Sequence, residues 1–250
     1  MPELDIQVAV AKVGKYATTE SGDTLEMIER PQGGVSLVLA DGQSSGRAAK
    51  RISNIVVRKA VSLLADGVRD GAVARAAHDY LRTMRGGKVS ATLNIVSIDL
   101  ETETLVISRN SHCPSIVSNG TEIILLDEVS EAVGIRSWTK PVITELPLVA
   151  DTYVLVYTDG LLHAGRRYGQ SLEVKSLFRE LLAEVESRGL ACAPAQVIAD
   201  AFLHRAIDVD RGRPGDDISV VVVAVLDAVH EGDRIRRLSF RLPVRVKRVT

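Results

Sequence analysis

Leu39-Ala40-Asp41-Gly42-Gln43-Ser44-Ser45-Gly46-Arg47-Ala48-Ala49-Lys50 joins two different periodicities. Ahead of it, residues 35–40 form a short apolar run of strand character. Behind it, Ala48, Ile52, Ile55 or Val56, Lys59 or Ala60, and Leu63 recur every three or four residues. That spacing marks one face of an amphipathic helix, with Ser44 or Ser45 placed to cap its start. Gly42 to Gly46 is also a literal G-x-S-x-G, the pattern of a nucleophile elbow between strand and helix. The same residues therefore support two chemistries, a serine hydrolase built on Ser44 or a metal enzyme built on Asp41.

The rest of the chain argues between them. Residues 4–15, 23–30 and 35–40 read as strands, the last two joined by the turn Pro31-Gln32-Gly33-Gly34. A second helix is expected over 71–84. Short strands then follow in quick succession at 89–99, 104–108, 115–117, 123–126, 142–146 and 153–157, with Asn119-Gly120 as a hairpin turn. Helices are expected at 172–188 and 195–207, and 218–226 closes the body as an almost wholly apolar, central strand. Strands cluster and helices come in pairs, with no βαβ alternation. This pattern predicts an α+β fold of antiparallel sheets with helix pairs packed outside them. A Ser44 elbow needs a parallel sheet and an oxyanion loop upstream. Three strands and no helix precede Ser44, so the later His78, His112, His163, His204 and His230 complete a triad in letters only.

Composition narrows the class. Net charge is −1, which provides no field for nucleic acid or an acidic membrane surface. Aromatic residues make up 4% of the chain, so the core must be aliphatic and base-stacking platforms are nearly absent. Cys113 and Cys192 lie far apart with no Cys-x-x-Cys spacing, which argues against a zinc site or disulfide framework. They read as buried small hydrophobes. No apolar stretch approaches the ~20 residues of a membrane span, and no signal peptide is visible. A cytoplasmic location is expected.

The acidic residues supply the sharper signal. The apolar run 153–157 passes through Thr158 into Asp159-Gly160, repeating the pattern at Asp41-Gly42. Gly215-Asp216-Asp217 enters the last apolar strand, and Ser21-Gly22-Asp23 opens the second. Any one strand ending in Asp-Gly is an ordinary turn. Four carboxylates at the edges of buried strands are another matter, because unpaired buried charge is costly and converging carboxylates raise one another's pKa. Divalent cations remove that conflict, and hard oxygen ligands suit Mg²⁺ or Mn²⁺.

Asp41-Gly42, Thr158-Asp159-Gly160 and Asp216-Asp217-Ile218-Ser219, in this order and spacing, resemble the metal-dependent Ser/Thr protein phosphatases of the PPM family. Ser21-Gly22-Asp23 and the wording of 41–50 resemble its bacterial SpoIIE-like branch, and the likeness extends over about residues 5–226. The resemblance implies an αββα sandwich with two Mn²⁺ or Mg²⁺ ions at one edge. It implies that Asp41 bridges both ions, that the Gly42 carbonyl binds one, that Asp159 and Asp216 hold one, and that Asp23 helps to hold the other. Asp217 stands where many relatives have Asn and joins the candidate ligands. Asp41, Asp159 and Asp216 are the expected catalytic set. The implied reaction is hydrolysis of phosphoserine or phosphothreonine on a protein by a water held between the metals, and the implied partner is a phosphorylated STAS-domain anti-sigma-factor antagonist. Two departures stand out. Ser44 occupies a position where the family usually has glycine, and Asn110-Ser111-His112-Cys113-Pro114 shortens an Asn-Ala-Gly-His-x-Pro element. The competing class is a non-catalytic module that binds the phosphoprotein on the same fold.

Lys12, Lys15 and Arg30 are candidates for gripping phosphate, and His112 and His163 for touching substrate or leaving group. The phosphatase domain is expected to span 1–227. In the tail 228–250, Leu238, Phe240, Leu242, Val244 and Val246 alternate with Arg241, Arg245 and Lys247. That reads as an extra edge strand, restricted to an edge by Pro243, with its own sheet, a second subunit in a homodimer, or an acidic partner to pair with.

Overall fold

A computed structural model describes residues 3–188, 194–228, 235–239, 241 and 243 of the chain. Two five-stranded sheets form the centre, and every strand pairing in them is antiparallel. The first sheet has the order β1-β10-β9-β6-β7, from β1 (Leu4–Val13), β10 (Ile218–Asp227), β9 (Thr152–Tyr157), β6 (Ser115–Ser118) and β7 (Ile123–Leu126). The second runs β2-β3-β4-β5-β8, from β2 (Asp23–Glu29), β3 (Val35–Asp41), β4 (Leu93–Asp99), β5 (Thr104–Asn110) and β8 (Val142–Pro147). Helices α1 (Gly46–Ala65) and α2 (Asp70–Arg85) cover the second sheet. A one-turn helix α3 (Asp159–Leu162) follows β9, and α4 (Val174–Arg188) and α5 (Pro194–Val209) cover the first sheet. The layering is αββα, and the expected α+β sandwich is observed.

Side-chain parity explains the layers, since successive strand residues face opposite sides. In β10, Val221, Val223 and Val225 point between the sheets, while Val220, Val222 and Ala224 point towards α4 and α5. In β3, Leu37 and Leu39 face the other sheet, while Val38 and Ala40 face α1 and α2. Both central strands are buried on both faces, which is why their sequences are apolar without alternation. Each helix pair buries its apolar stripe on the outer face, so three stacked cores result.

Arg30 has no part in phosphate binding. It lies at the opposite end of β2 from Asp23, almost fully buried, and pairs with Asp70 at 3.2 Å. Its guanidinium also donates to Ser36 Oγ, Ser97 Oγ and the Val68 carbonyl, which fastens the start of α2 to the sheet. Cys113 is a free, buried thiol pushed up to about 12, chiefly by burial. Cys192, His230 and the greater part of the tail lie outside the described residues. The described tail residues 235–239, 241 and 243 are not in a strand. Arg236 there reaches Glu29 at 3.3 Å. Among the described residues, no helix is long and apolar enough to cross a membrane.

Candidate metal centre

The site grows out of the inter-sheet core by the same parity. Asp23 continues the inward face of Leu25 and Met27, Asp41 that of Leu37 and Leu39, Thr158 that of Val154 and Val156, and Ser219 that of Val221 and Val223. At one end of the sandwich, apolar side chains thus give way to carboxylates and hydroxyls. Asp23 and Asp41 are register partners across β2 and β3. Asp159 opens α3 directly after β9, and Asp216 lies just before β10.

Asp23 is the most enclosed of these acids, with no exposed surface. Its Oδ2 accepts hydrogen bonds from Ser219 Oγ at 2.6 Å and Thr158 Oγ1 at 3.0 Å. Its Oδ1 is buried and has no partner. Its carbonyl accepts from Lys12 Nζ at 2.6 Å and Lys50 Nζ at 2.8 Å. Burial raises the Asp23 carboxyl above its usual range, against the pull of Ser219, Lys12 and Thr158. Asp41 is pushed up to about 9, first by burial and then by the carboxylates of Asp23, Asp159 and Asp216. Burial also raises Asp216, opposed by its hydrogen bond with the Asp217 backbone and by nearby Lys15. Lys12 is lowered by burial, with Asp23 opposing.

Among the described residues, no three carboxylate, imidazole or thiol groups already enclose a single point. The fit to a cation lies elsewhere, in a buried carboxylate oxygen with no donor and in the three acids that gather around the buried Asp41. Removing a proton from such a cluster is unfavourable unless positive charge replaces it. The donor set is carboxylate and carbonyl oxygen, which suits Mg²⁺ or Mn²⁺.

The glycines keep backbone close to these acids. A Cβ on Gly42 would run into the Ala49 carbonyl on α1, and one on Gly160 into the Asp217 carbonyl. Gly42 also bridges to Ala91, and Ala91 to Val133, tying the loop after Asp41 to two further segments. Ser44 holds φ 85°, a left-handed conformation, so the loop keeps its shape although its residue is not glycine. Ser45, not Ser44, is the N-cap of α1, and it makes no side-chain capping bond.

Asp217 is placed differently from the others. Its Oδ1 accepts from the Lys15 backbone N–H at 2.9 Å and its Oδ2 from that of Gly22 at 2.8 Å. It therefore staples the loop between β1 and β2 against the entry to β10, just where Asp23 begins. Asp210 does the same for a neighbouring loop. Its two oxygens accept from the Gly165 and Gly215 backbones, each at 2.9 Å. Nothing in the sequence separates Asp210 from other acids at a helix end.

Histidines approach from the open side. His112 Nε2 is 3.6 Å and His163 Nδ1 3.9 Å from Asp159 Oδ2. His78 lies elsewhere, buried, accepting from the Gly134 N–H. Ser44 is exposed on an antiparallel sheet's edge loop, so the parallel-sheet context of an elbow is missing.

A family model described as Stage II sporulation protein E (SpoIIE) matches residues 31–226, most of the chain. The chain belongs to the SpoIIE family. This SpoIIE-family chain is 22% identical over 217 residues to a stage II sporulation protein E of Priestia megaterium, a match covering 87% of this chain and 36% of that protein. It thus spans about a third of that relative's length. The SpoIIE-type fold recurs in the PP2C phosphatase domain, with a fragment of the regulatory domain, of the cell fate determinant SpoIIE from Bacillus subtilis. That structure has a TM-score of 0.74 at 20% identity, over 92% of this chain and 66% of that one. It recurs in the catalytic domain of the serine/threonine protein phosphatase PstP in complex with two manganese ions, with a TM-score of 0.63 at 18% identity, over 90% of this chain and 100% of that one.

Proposed function

We propose that this SpoIIE-family domain is a metal-dependent phosphatase that hydrolyses phosphoserine or phosphothreonine on a regulatory protein. The observation that carries the reading is the acidic end of the inter-sheet core. Asp41 is raised by burial and then by Asp23, Asp159 and Asp216 around it, and a buried Asp23 oxygen stands without a partner. Asp23, Asp41, the Gly42 carbonyl, Asp159 and Asp216 would hold two Mn²⁺ or Mg²⁺ ions. Asp217 supports them by fixing the Asp23 loop.

Divalent ions held there would supply Lewis-acid activation of water and neutralisation of phosphoryl charge. The chain's own residues do the rest. Asp41, central among the acids, would be held as the carboxylate by positive charge at the site. Lys15, beside Asp216 at 3.9 Å, carries positive charge to the rim that an incoming phosphate meets. His112 and His163 flank Asp159 on the solvent side, where the alcohol product departs. No side-chain nucleophile is required, and Ser44 has no role in bond breaking.

The family suggests the finer identity of the substrate, a phosphorylated STAS-type anti-sigma-factor antagonist. The test is p-nitrophenyl phosphate hydrolysis in EDTA, Mg²⁺ and Mn²⁺. Activity should vanish in EDTA, return with metal and survive Ser44→Ala. A folded protein inactive with every metal would sink the proposal and favour a binding module instead.

A further inference from the structure

We infer that Thr158 and Ser219 are positioning residues that present Asp23 to a divalent cation, an inference that rests on the metal-dependent reading above. Both hydroxyls converge on one oxygen of Asp23. Ser219 Oγ donates to Oδ2 at 2.6 Å and Thr158 Oγ1 at 3.0 Å. A third bond is compatible with that direction. The Ser219 backbone N–H donates to Thr158 Oγ1 at 3.0 Å, taking one of the hydroxyl's acceptor lone pairs. The Thr158 proton is free for Asp23 Oδ2, the alternative acceptor being the Asp217 carbonyl at 3.5 Å. All three side chains are buried, with Thr158 2% exposed and Asp23 and Ser219 not at all. Water cannot replace either donor.

The consequence falls on the other oxygen. With Oδ2 taken by two donors, the Asp23 side chain is held in place, and Oδ1 is the oxygen left over. That atom is buried and unpartnered. The backbone of Asp23 is held separately. Lys12 is the register partner of Ser219 across β1 and β10, and its ammonium takes the Asp23 carbonyl, as does that of Lys50. Main chain and side chain are thus fixed by different groups, and the two hydroxyls govern the side chain alone. Each lies close in sequence to another acid of the centre, Thr158 between β9 and Asp159, and Ser219 in β10 shortly after Asp216. They therefore also set the spacing between the acids of the two sheets. Groups that orient a metal ligand in this way typically contribute 10–100-fold in metal affinity.

The test measures Mn²⁺ binding directly, by calorimetric titration of metal-free protein and by the loss of free Mn²⁺ signal in electron paramagnetic resonance. Thr158→Val, Ser219→Ala and the hydroxyl-retaining Thr158→Ser are compared with wild type, each checked for folding by circular dichroism. The expected result is about 10–100-fold weaker Mn²⁺ binding in Thr158→Val and Ser219→Ala, with affinity restored in Thr158→Ser. A purely structural role would lower the melting temperature without moving the affinity at 25 °C. Folded Thr158→Val and Ser219→Ala that bind Mn²⁺ as wild type does would overturn the inference and leave the phosphatase reading standing. Wild type that binds no Mn²⁺ would overturn both. If Ser219→Ala does not fold, the comparison of Thr158→Val with Thr158→Ser decides alone.

Discussion

Asp23 and Asp41 sit directly opposite one another across β2 and β3, so two carboxylates share one cross-strand position that faces the inter-sheet core. Like charges so placed destabilise a sheet. The pairing persists where the strands end and where Asp159 and Asp216 add further negative charge. Positive charge bound there, as proposed above, would relieve that repulsion.

Stability of the metal-free protein should fall as pH rises. Asp41, with a folded pKa of about 9 against a usual 3.8, binds its proton more tightly in the folded state. Between those two values the folded state holds more protons than the unfolded chain, so each added pH unit favours unfolding. One such group contributes at most about 1.4 kcal/mol per unit. Melting in EDTA should therefore show a declining midpoint from pH 5 towards pH 9, flattened by saturating Mn²⁺ and by Asp41→Asn. A midpoint that rises across that range in EDTA would contradict the clustering of the acids.

Ser44→Gly should stabilise the protein by about 0.5–1 kcal/mol. A left-handed residue other than glycine costs ~1–2 kcal/mol, and the greater freedom of glycine in the unfolded chain offsets part of that gain. Ser44 is exposed, with φ 85°, so little packing is lost. Urea titration at fixed Mn²⁺ reads the change, and phosphate release should stay near wild type.

Gly160→Ala should cost more than about 2 kcal/mol and most of the activity. The new methyl would occupy the position of the Asp217 carbonyl, forcing α3 away from the start of β10 and separating Asp159 from Asp216. Normal melting with normal activity would show that the contact yields easily.

Asp70→Ala should separate stability from chemistry. It strands Arg30 in a buried site, a loss of about 3–5 kcal/mol for a broken buried pair. The pair lies away from the acidic centre, so kcat of the folded fraction at saturating Mn²⁺ should be unchanged. Chemical denaturation and initial rates at low temperature check the two halves.

The sandwich was legible because its strands carry their layer in their parity. Ile218 to Leu226 lacks polar alternation because β10 is covered on both faces, and the helical stripe after Gly46 matches α1. The acids were legible as Asp beside Gly at strand edges, Asp-Gly at or just after the ends of β3 and β9 and Gly-Asp at or just before the starts of β2 and β10. Their supports were less so. Thr158 and Ser219 lie within the motifs that reveal the acids, and extending the inward parity of Val154, Val156, Val221 and Val223 by one step would have placed both hydroxyls at the site. Asp217 and Asp210 could not be separated from metal ligands or surface acids by spacing, because both of Asp217's partners and one of Asp210's are backbone N–H groups far away in the chain. Arg30 looked available for phosphate because sequence alone does not show that Asp70 closes over it. The four-residue helix α3 is too short for any periodicity to reveal.

The most direct measurement is phosphate release from a phosphothreonine peptide by wild type and Asp159→Asn, each titrated with Mn²⁺ from an EDTA-treated start. The account predicts release by wild type that rises with Mn²⁺ and saturates. It predicts a loss of at least about 100-fold for Asp159→Asn, the ~2.7 kcal/mol expected when a group acting at the reacting centre is removed. Release that is unaffected by EDTA, or that survives Asp159→Asn in full, would contradict the assignment of the acidic edge as the catalytic metal centre.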